Sequence, residues 1–370
     1  MRNKPNLLDA QINVSYCFTM NYEQITMNNA NKNKPKQTRS EAEIPTGELL
    51  GILKPGTKQI KCTPSKLFLA FTFLCPSYNL AMQAWTIQKL LNWVTEYLTS
   101  KGIDSPRLSA ELLLSDVLEM KRIELYTQFD KPVTKQQLDR LHNLVKRAGQ
   151  HEPVCYLTGK TEFYCLELQV CPDCMIPRPE TELLVERAIE FLRKRTGRQL
   201  VCDLCTGCGC IAIALARNYP EANIIATDIS DAALAVAAKN IEKHQLKDRI
   251  KLLCGDLFDP LIPQMDVEKF DLIVCNPPYV SEPEFEKLDR NVKDYEPRVA
   301  LFAGTDGLDV YRRIIEKADS FLKADAALML EIGYAQGPAI KELLEQTGVF
   351  TDIKIEKDPH NNDRIVIAKR

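Results

Sequence analysis

Phe270-Asp271-Leu272-Ile273-Val274-Cys275-Asn276-Pro277-Pro278-Tyr279 is the stretch that decides the fold. Its first six residues form a short, mostly apolar run that reads as a buried strand. Two successive prolines cannot extend a ladder or start a helix here, so the chain must stop and turn at Asn276. One primary amide is left at a strand end, on a stiff backbone, beside an aromatic ring. In an open α/β sheet, ligands bind just beyond the carboxyl ends of the strands. A proline-stiffened exit with a capping Asn looks the same in isolation, so the neighbouring segments must decide.

Outward from this stretch, strands and helices alternate. Strands are expected at 200–204, 223–227, 250–254, 270–275 and 326–331. Helices are expected at 180–195, 209–218, 231–244, 308–321 and 336–346. This order predicts an α/β fold, a doubly wound and mainly parallel sheet over residues 181–370. Two closing strands, 351–355 and 364–368, flank a turn at 358–363, which makes one edge antiparallel. Residues 151–180 read as a linker with a strand hairpin. Residues 82–150 read as a helical domain. Its first helix carries Trp85, Leu90, Leu91, Val94, Tyr97 and Leu98 at helical spacing. Its second opens at Ser105-Pro106, with Leu108, Leu112, Leu113, Val117 and Leu118 as the expected buried stripe. A third spans 135–148. Residues 1–81 include a polar, Asn/Lys-rich tract at 28–40 without periodicity, and poor order is expected there.

The 370 residues suit two domains plus extra material, and 45% hydrophobic residues can build a sizeable core. A net charge of -2 argues against nucleic acid as the main partner. No apolar run is long enough to span a bilayer. The 13 Cys, an odd number without a secretion signal, point to a reducing cytoplasm. Cys202, Cys254 and Cys275 sit in apolar runs and read as core residues. Cys202, Cys205, Cys208 and Cys210 have a spacing like part of an iron–sulfur ligand run, and Cys171 and Cys174 form a C-x-x-C. The glycines among the first group have a better use, and no metal is expected.

Asp203-Leu204-Cys205-Thr206-Gly207-Cys208-Gly209 joins the first strand of the alternating region to a helix. Two glycines at such a turn let the backbone approach a ligand. Asp228 ends the next strand, placed to accept both hydroxyls of a ribose. The third glycine of a dinucleotide fingerprint is absent; Ala212 stands there. Asp203 puts negative charge before the loop, which repels a pyrophosphate but not a ligand bearing an ammonium and a sulfonium. This favours S-adenosylmethionine as cofactor. Asp256 and Leu257 follow the third strand, able to meet an adenine amino group and ring. Singly, each Asp reads equally well as a turn or cap carboxylate; the ordered set favours function.

With these residues in hand, the chain from about residue 85 onward resembles the HemK/PrmC family. The resemblance rests on Ile176-Pro177-Arg178-Pro179-Glu180-Thr181-Glu182, on the Asp203–Gly209 loop, and on Thr227-Asp228. It rests further on Asn276-Pro277-Pro278-Tyr279, on Glu296-Pro297-Arg298-Val299-Ala300-Leu301 and on Asp306-Gly307-Leu308. Cys208 stands where the family more often has Ser or Thr, a change expected to touch cofactor affinity and not the reaction. The resemblance implies methyl transfer from S-adenosylmethionine to the glutamine amide of class I peptide chain release factors, in the Gly-Gly-Gln motif. It implies that Cys205, Thr206, Gly207, Cys208 and Gly209 line the methionine end of the cofactor. Asp228 would hold the ribose, and Asp256 and Leu257 the adenine. Asn276, Pro277, Pro278 and Tyr279 would hold the substrate glutamine, with Asn276 also near the cofactor. Asn276 and Pro277 would act in catalysis, and the helical domain would grip the release factor. A monomer, without direct nucleic-acid or membrane binding, is expected. The rival readings are a ribosomal-protein glutamine methyltransferase, an N6-adenine-type nucleic-acid methyltransferase, and a non-catalytic release-factor adapter.

Met82 directly precedes the first convincing helix and is the expected natural start. A chain lacking residues 1–81 should therefore stay in solution and active; lost activity or insoluble protein would refute this.

Overall fold

The computed structural model describes residues 85–264 and 269–370. The expectations for residues 1–81 and for Met82 lie outside the described residues. Among the described residues, five helices come first: α1 (Ile87–Ser100), α2 (Pro106–Leu118), α3 (Arg122–Thr127), α4 (Lys135–Ala148) and α5 (Val154–Thr158). Thr86 caps α1 by accepting from the Lys89 N–H, and Thr134 with Gln137 forms a reciprocal cap on α4. Such caps satisfy N–H groups that a helix start leaves free. Leu91, Val94 and Leu98 of α1, Leu113 and Val117 of α2, and Leu141 and Val145 of α4 share one apolar core.

The inward face of α2 differs from the sequence expectation. Leu113 and Val117 are buried, but Leu108 is 41% exposed, and Leu112 and Leu118 are only half-buried. Ala110, Glu111 and Leu114 face inward with Leu113 and Val117. Glu111 explains the difference. Its carboxylate is buried, yet it accepts from Arg107 Nε at 3.1 Å, from Arg122 Nη2 at 2.6 Å and from the Tyr126 hydroxyl. A carboxylate can leave water when it is paired and hydrogen-bonded.

A two-stranded hairpin follows, β1 (Lys160–Phe163) and β2 (Leu166–Gln169). Its two-residue turn, Tyr164-Cys165, has both residues left-handed. Then come α6 (Thr181–Leu192), β3 (Gln199–Leu204), α7 (Cys210–Asn218), β4 (Ala222–Asp228), α8 (Asp231–Lys243), β5 (Ile250–Cys254) and β6 (Phe270–Cys275). The chain closes with α9 (Glu282–Phe285), α10 (Arg290–Lys293), α11 (Asp309–Phe321), β7 (Leu322–Glu331), α12 (Gly337–Gln346), β8 (Asp352–Lys357) and β9 (Asp363–Lys369). The short α3, α5, α9 and α10 were not expected, since four to six residues carry little periodicity.

The strand order is β5-β4-β3-β6-β7-β9-β8. The first five strands are mutually parallel; β9 runs antiparallel to both β7 and β8. Successive residues feed opposite faces of the sheet, as a pleat requires. Val201, Leu272, Val274 and Met329 pack in one core with α6, α7 and α8. Cys202, Leu204, Ile273, Cys275 and Leu328 pack in the other with α11 and α12. Cys254 departs from expectation: it is exposed, because β5 is an edge strand. Among the described residues, no helix is long and apolar enough to cross a membrane.

Glu111→Ala leaves two guanidinium groups and a phenol without their acceptor. It should destabilise the chain by about 1–3 kcal/mol, read as a lowered Tm. An unchanged Tm would mean that apolar packing alone sets the inward face of α2.

Candidate active site

A cavity of about 460 Å³ lies beyond the carboxyl ends of β3, β4, β5 and β6. Its wall takes Cys205, Thr206, Gly207 and Cys208 from the exit of β3, and Asp228 from the end of β4. Asp256 and Leu257 come from the exit of β5, and Asn276 and Pro278 from the exit of β6. Nine of the residues expected at the site from sequence are thus brought together. Gly209, Pro277 and Tyr279 are not on this wall.

The loop after β3 is tied down from below. Asp203 Oδ2 accepts from Thr206 Oγ1 at 2.6 Å and from the Ala212 N–H at 3.2 Å. Gly207 has φ +57° and open space where a side chain would begin. Gly209 has φ +84°, and a Cβ there would come within 3.3 Å of Ala237. Its lack of a side chain serves the turn and the approach of α8, which is why it sits behind the wall. Asn240 of α8 fixes the same loop. It is fully buried, donates to the carbonyls of Cys208 and Gln169, and accepts from the Gln169 N–H at 2.7 Å.

Asp228 accepts from the Gly207 N–H at 2.8 Å through Oδ2 and from the Ser230 N–H at 2.9 Å through Oδ1. Burial pushes its pKa up, against those N–H donors. Each oxygen keeps a lone pair for a further donor. Asp256 accepts from Arg313 at 2.6 Å. Leu257 is left-handed at φ 49°, and its carbonyl accepts from the Thr227 hydroxyl at 3.1 Å.

Asn276 Nδ2 donates to Thr181 Oγ1 at 3.2 Å. Among the described residues, its carboxamide oxygen accepts from no donor. Pro277 is buried. Tyr279 has its ring in the apolar core on the α11 side, its N–H on the Leu301 carbonyl and its own carbonyl on Gln336 Nε2. Burial pushes its hydroxyl up to about 12. The facing wall comes from Asp173, Cys174, Met175, Pro177 and the 297–300 segment. Glu296 joins these two segments: it accepts from the Ile176 N–H at 3.3 Å and from Arg178.

One expectation changes in its physics. The exclusion of a pyrophosphate was ascribed to the charge of Asp203. Asp203 is wholly buried and burial pushes it up to about 7, so its charge is incomplete at neutral pH. The stronger cause is occupancy, since Asp203 already holds an N–H at the start of α7 where a phosphate would bind. The sequence reading also gave no role to Thr181, Asn240, Arg313 or Glu331. Asn240 was detectable as a polar residue on the apolar stripe of α8 with Ala233, Ala237 and Ile241. Glu331 is buried, its oxygens have no partner at full hydrogen-bond geometry among the described residues, and desolvation pushes it up to about 7. Its position at a strand end was visible, but its neighbours were not.

A doubly wound sheet whose cavity opens where the strand order reverses, flanked by a glycine turn and an acidic strand end, is the fold of a class I methyltransferase. Residues 89–159 match the family described as PrmC N-terminal domain, and residues 180–290 the methyltransferase small domain. A release factor glutamine methyltransferase of Geobacter sulfurreducens is 41% identical over 284 residues, covering 77% of this chain and 96% of that protein. One from Rhodopirellula baltica is 39% identical over 289 residues, covering 77% and 97%. Among solved structures, a release factor-specific protein-(glutamine-N5) methyltransferase from Alicyclobacillus acidocaldarius is 29% identical. It covers 55% of this chain and 99% of that one, with a TM-score of 0.36. The chain belongs to the release factor glutamine methyltransferase family.

Between about pH 4 and 7 the folded chain keeps protons on Asp203 and Glu331 that the unfolded chain has released. Stability should therefore fall as pH rises through that window. Asp203→Asn should flatten the fall, read as Tm from pH 5 to 8. An unchanged slope would show that Asp203 does not titrate there.

Proposed function

We propose that this enzyme transfers a methyl group from S-adenosylmethionine to the side-chain amide nitrogen of the glutamine in the Gly-Gly-Gln motif of class I peptide chain release factors. The observation that carries the reading is Asn276, on the same wall as Gly207, Asp228 and Asp256, with its amide nitrogen already donating to Thr181. Its oxygen is left for a donor entering the cavity.

Cys205, Thr206, Gly207 and Cys208 would hold the methionine end of the cofactor, Asp228 the ribose, and Asp256 with Leu257 the adenine. When bound, the cofactor supplies an electrophilic methyl on sulfur. The amide nitrogen of a glutamine is a weak nucleophile because its lone pair is shared with the carbonyl. Asn276 Oδ1 would accept one substrate N–H. The Pro277 carbonyl is proposed as a second acceptor from the motif alone. Pro277 and Pro278 keep these oxygens from reorganising during reaction. The nitrogen would then face the methyl in line, and positioning supplies much of the acceleration. The methyl would pass from sulfur to this nitrogen, which would lose one proton to solvent. The helical region over residues 85–158 would dock the release factor, and residues 181–370 would perform the transfer. Acting on a translation factor, the enzyme would work in the cytoplasm.

The test is incubation with a purified class I release factor and labelled S-adenosylmethionine, followed by mass mapping of the modified residue. Asn276→Ala should lower turnover by about 100-fold, with a smaller effect on cofactor affinity by calorimetry. Asn276→Asp keeps an acceptor while adding charge, and it should also be impaired. Near-normal turnover of Asn276→Ala would refute the assignment.

A further inference from the structure

Val274 of β6 and Met329 of β7 lie opposite each other in register and share one apolar core. Two residues on, Asn276 and Glu331 continue the same face. Thr181, at the first turn of α6, meets them there. Thr181 is buried, and its Oγ1 accepts from Asn276 Nδ2 at 3.2 Å. Glu331 is 1% exposed, and neither of its oxygens has a partner at full hydrogen-bond geometry. The Thr181 hydroxyl is the side-chain donor that opposes the rise in its pKa. Glu331 is not on the cavity wall, so it cannot take a proton from a substrate held there. A buried carboxyl without full partners costs stability. An apolar residue would pack in its place at lower cost.

We propose that Glu331 and Thr181 are positioning residues that set which end of the Asn276 carboxamide faces the cavity. The proposal rests on the reading of Asn276 as acceptor of the substrate amide. A hydroxyl has one hydrogen and two lone pairs. When Glu331 takes the Thr181 hydrogen, only lone pairs remain for Asn276, which must present its NH2 inward and its oxygen outward. Without that acceptor, the hydroxyl can turn its hydrogen toward Asn276 Oδ1. The amide then flips and shows the cavity an NH2 group, which cannot accept a substrate N–H.

Protonation has the same effect. Arg364 from β9, Arg178 and Glu180 from the segment before α6, and Tyr279 beyond β6 face Glu331. Tyr311 of α11 donates to its backbone carbonyl at 2.7 Å. Burial outweighs the two guanidinium groups and pushes the carboxyl up to about 7. The protonated acid no longer requires the Thr181 hydrogen, so turnover falls as pH drops through about 7.

The test compares Glu331→Leu, Thr181→Val and Thr181→Ser in the full chain with a purified release factor and S-adenosylmethionine. It reads kcat and KM from pH 6 to 9, cofactor affinity by calorimetry, and Tm. Glu331→Leu, which removes the acceptor, should lower kcat roughly tenfold and abolish the acid limb near pH 7. Cofactor affinity should be unchanged, and Tm unchanged or raised. Thr181→Val should show a similar loss of kcat, and Thr181→Ser should restore it. A residue that merely braced the fold would lower Tm when replaced and leave the acid limb in place. Full kcat with a wild-type pH profile in Glu331→Leu, or full kcat in Thr181→Val, overturns the proposal. Near-normal turnover of Asn276→Ala is a different result and removes the site assignment beneath it.

Discussion

Parallel pairing of β3 with a neighbour on each side is the constraint on which the rest of this structure depends. Leu204 lies opposite Thr227 of β4 on one side and opposite Cys275 of β6 on the other. The three strands therefore end level. From that common line the chain after β3 enters α7 on one face of the sheet, while α11, the longest helix after β6, packs on the other. The exits part, and the gap between them is the cavity. The glycine turn and the proline pair are devices for two opposite tasks at this line: one lets backbone turn sharply, the other forbids it to move.

Much of this was legible in the sequence because it is local. A strand of six buried residues, a helix with apolar spacing and a Gly turn each declare themselves within a dozen positions. The Asp358–Asp363 turn between the last two strands predicted the antiparallel edge, and β8 and β9 pair that way. The inward face of α2 was not legible, because it depends on Arg122 and Tyr126 reaching Glu111 from a helix beyond a turn. Thr181 and Glu331 were hidden for a stronger reason. Each looks like a cap or a strand-end charge until tertiary packing sets it beside Asn276, 95 residues from Thr181. The roles of Gly209 and Asp203 were partly misread for the same cause: the sequence shows that a Gly or an Asp is there, not which neighbour it meets.

The polar groups buried around the cavity fall into two kinds. Asn240 is satisfied on both ends of its carboxamide, and such a group specifies packing without leaving desolvation uncompensated. Asp203 and Glu331 are not fully satisfied: among the described residues, Oδ1 of the first and both oxygens of the second have no partner at full hydrogen-bond geometry. A chain selected for stability alone would replace them with apolar side chains. Both lie directly behind a residue of the cavity wall, Thr206 in one case and Thr181 in the other. The Thr206 hydroxyl links Asp203 to the wall, and the Thr181 hydroxyl is the proposed link for Glu331. Uncompensated polar groups of this sort collect at functional sites, where the surrounding fold can hold them.

The same arrangement decides what chemistry the loop can meet. A phosphate-binding turn offers unpaired N–H groups at a helix start to an anion. Here Ala212 N–H is held by Asp203 and Gly207 N–H by Asp228. Two of the donors a phosphate would use are taken by the protein's own carboxylates. A ligand that meets the Asp228 oxygens brings hydrogens to this loop, as hydroxyls do. On the opposite side Asn276 gives its Nδ2 to Thr181, which leaves its oxygen as the proposed acceptor. Acceptors thus stand on two sides of a cavity that Arg298 and Arg313 also line, and the proposed pair, a neutral carboxamide nitrogen beside a sulfonium methyl, would suit those oxygens.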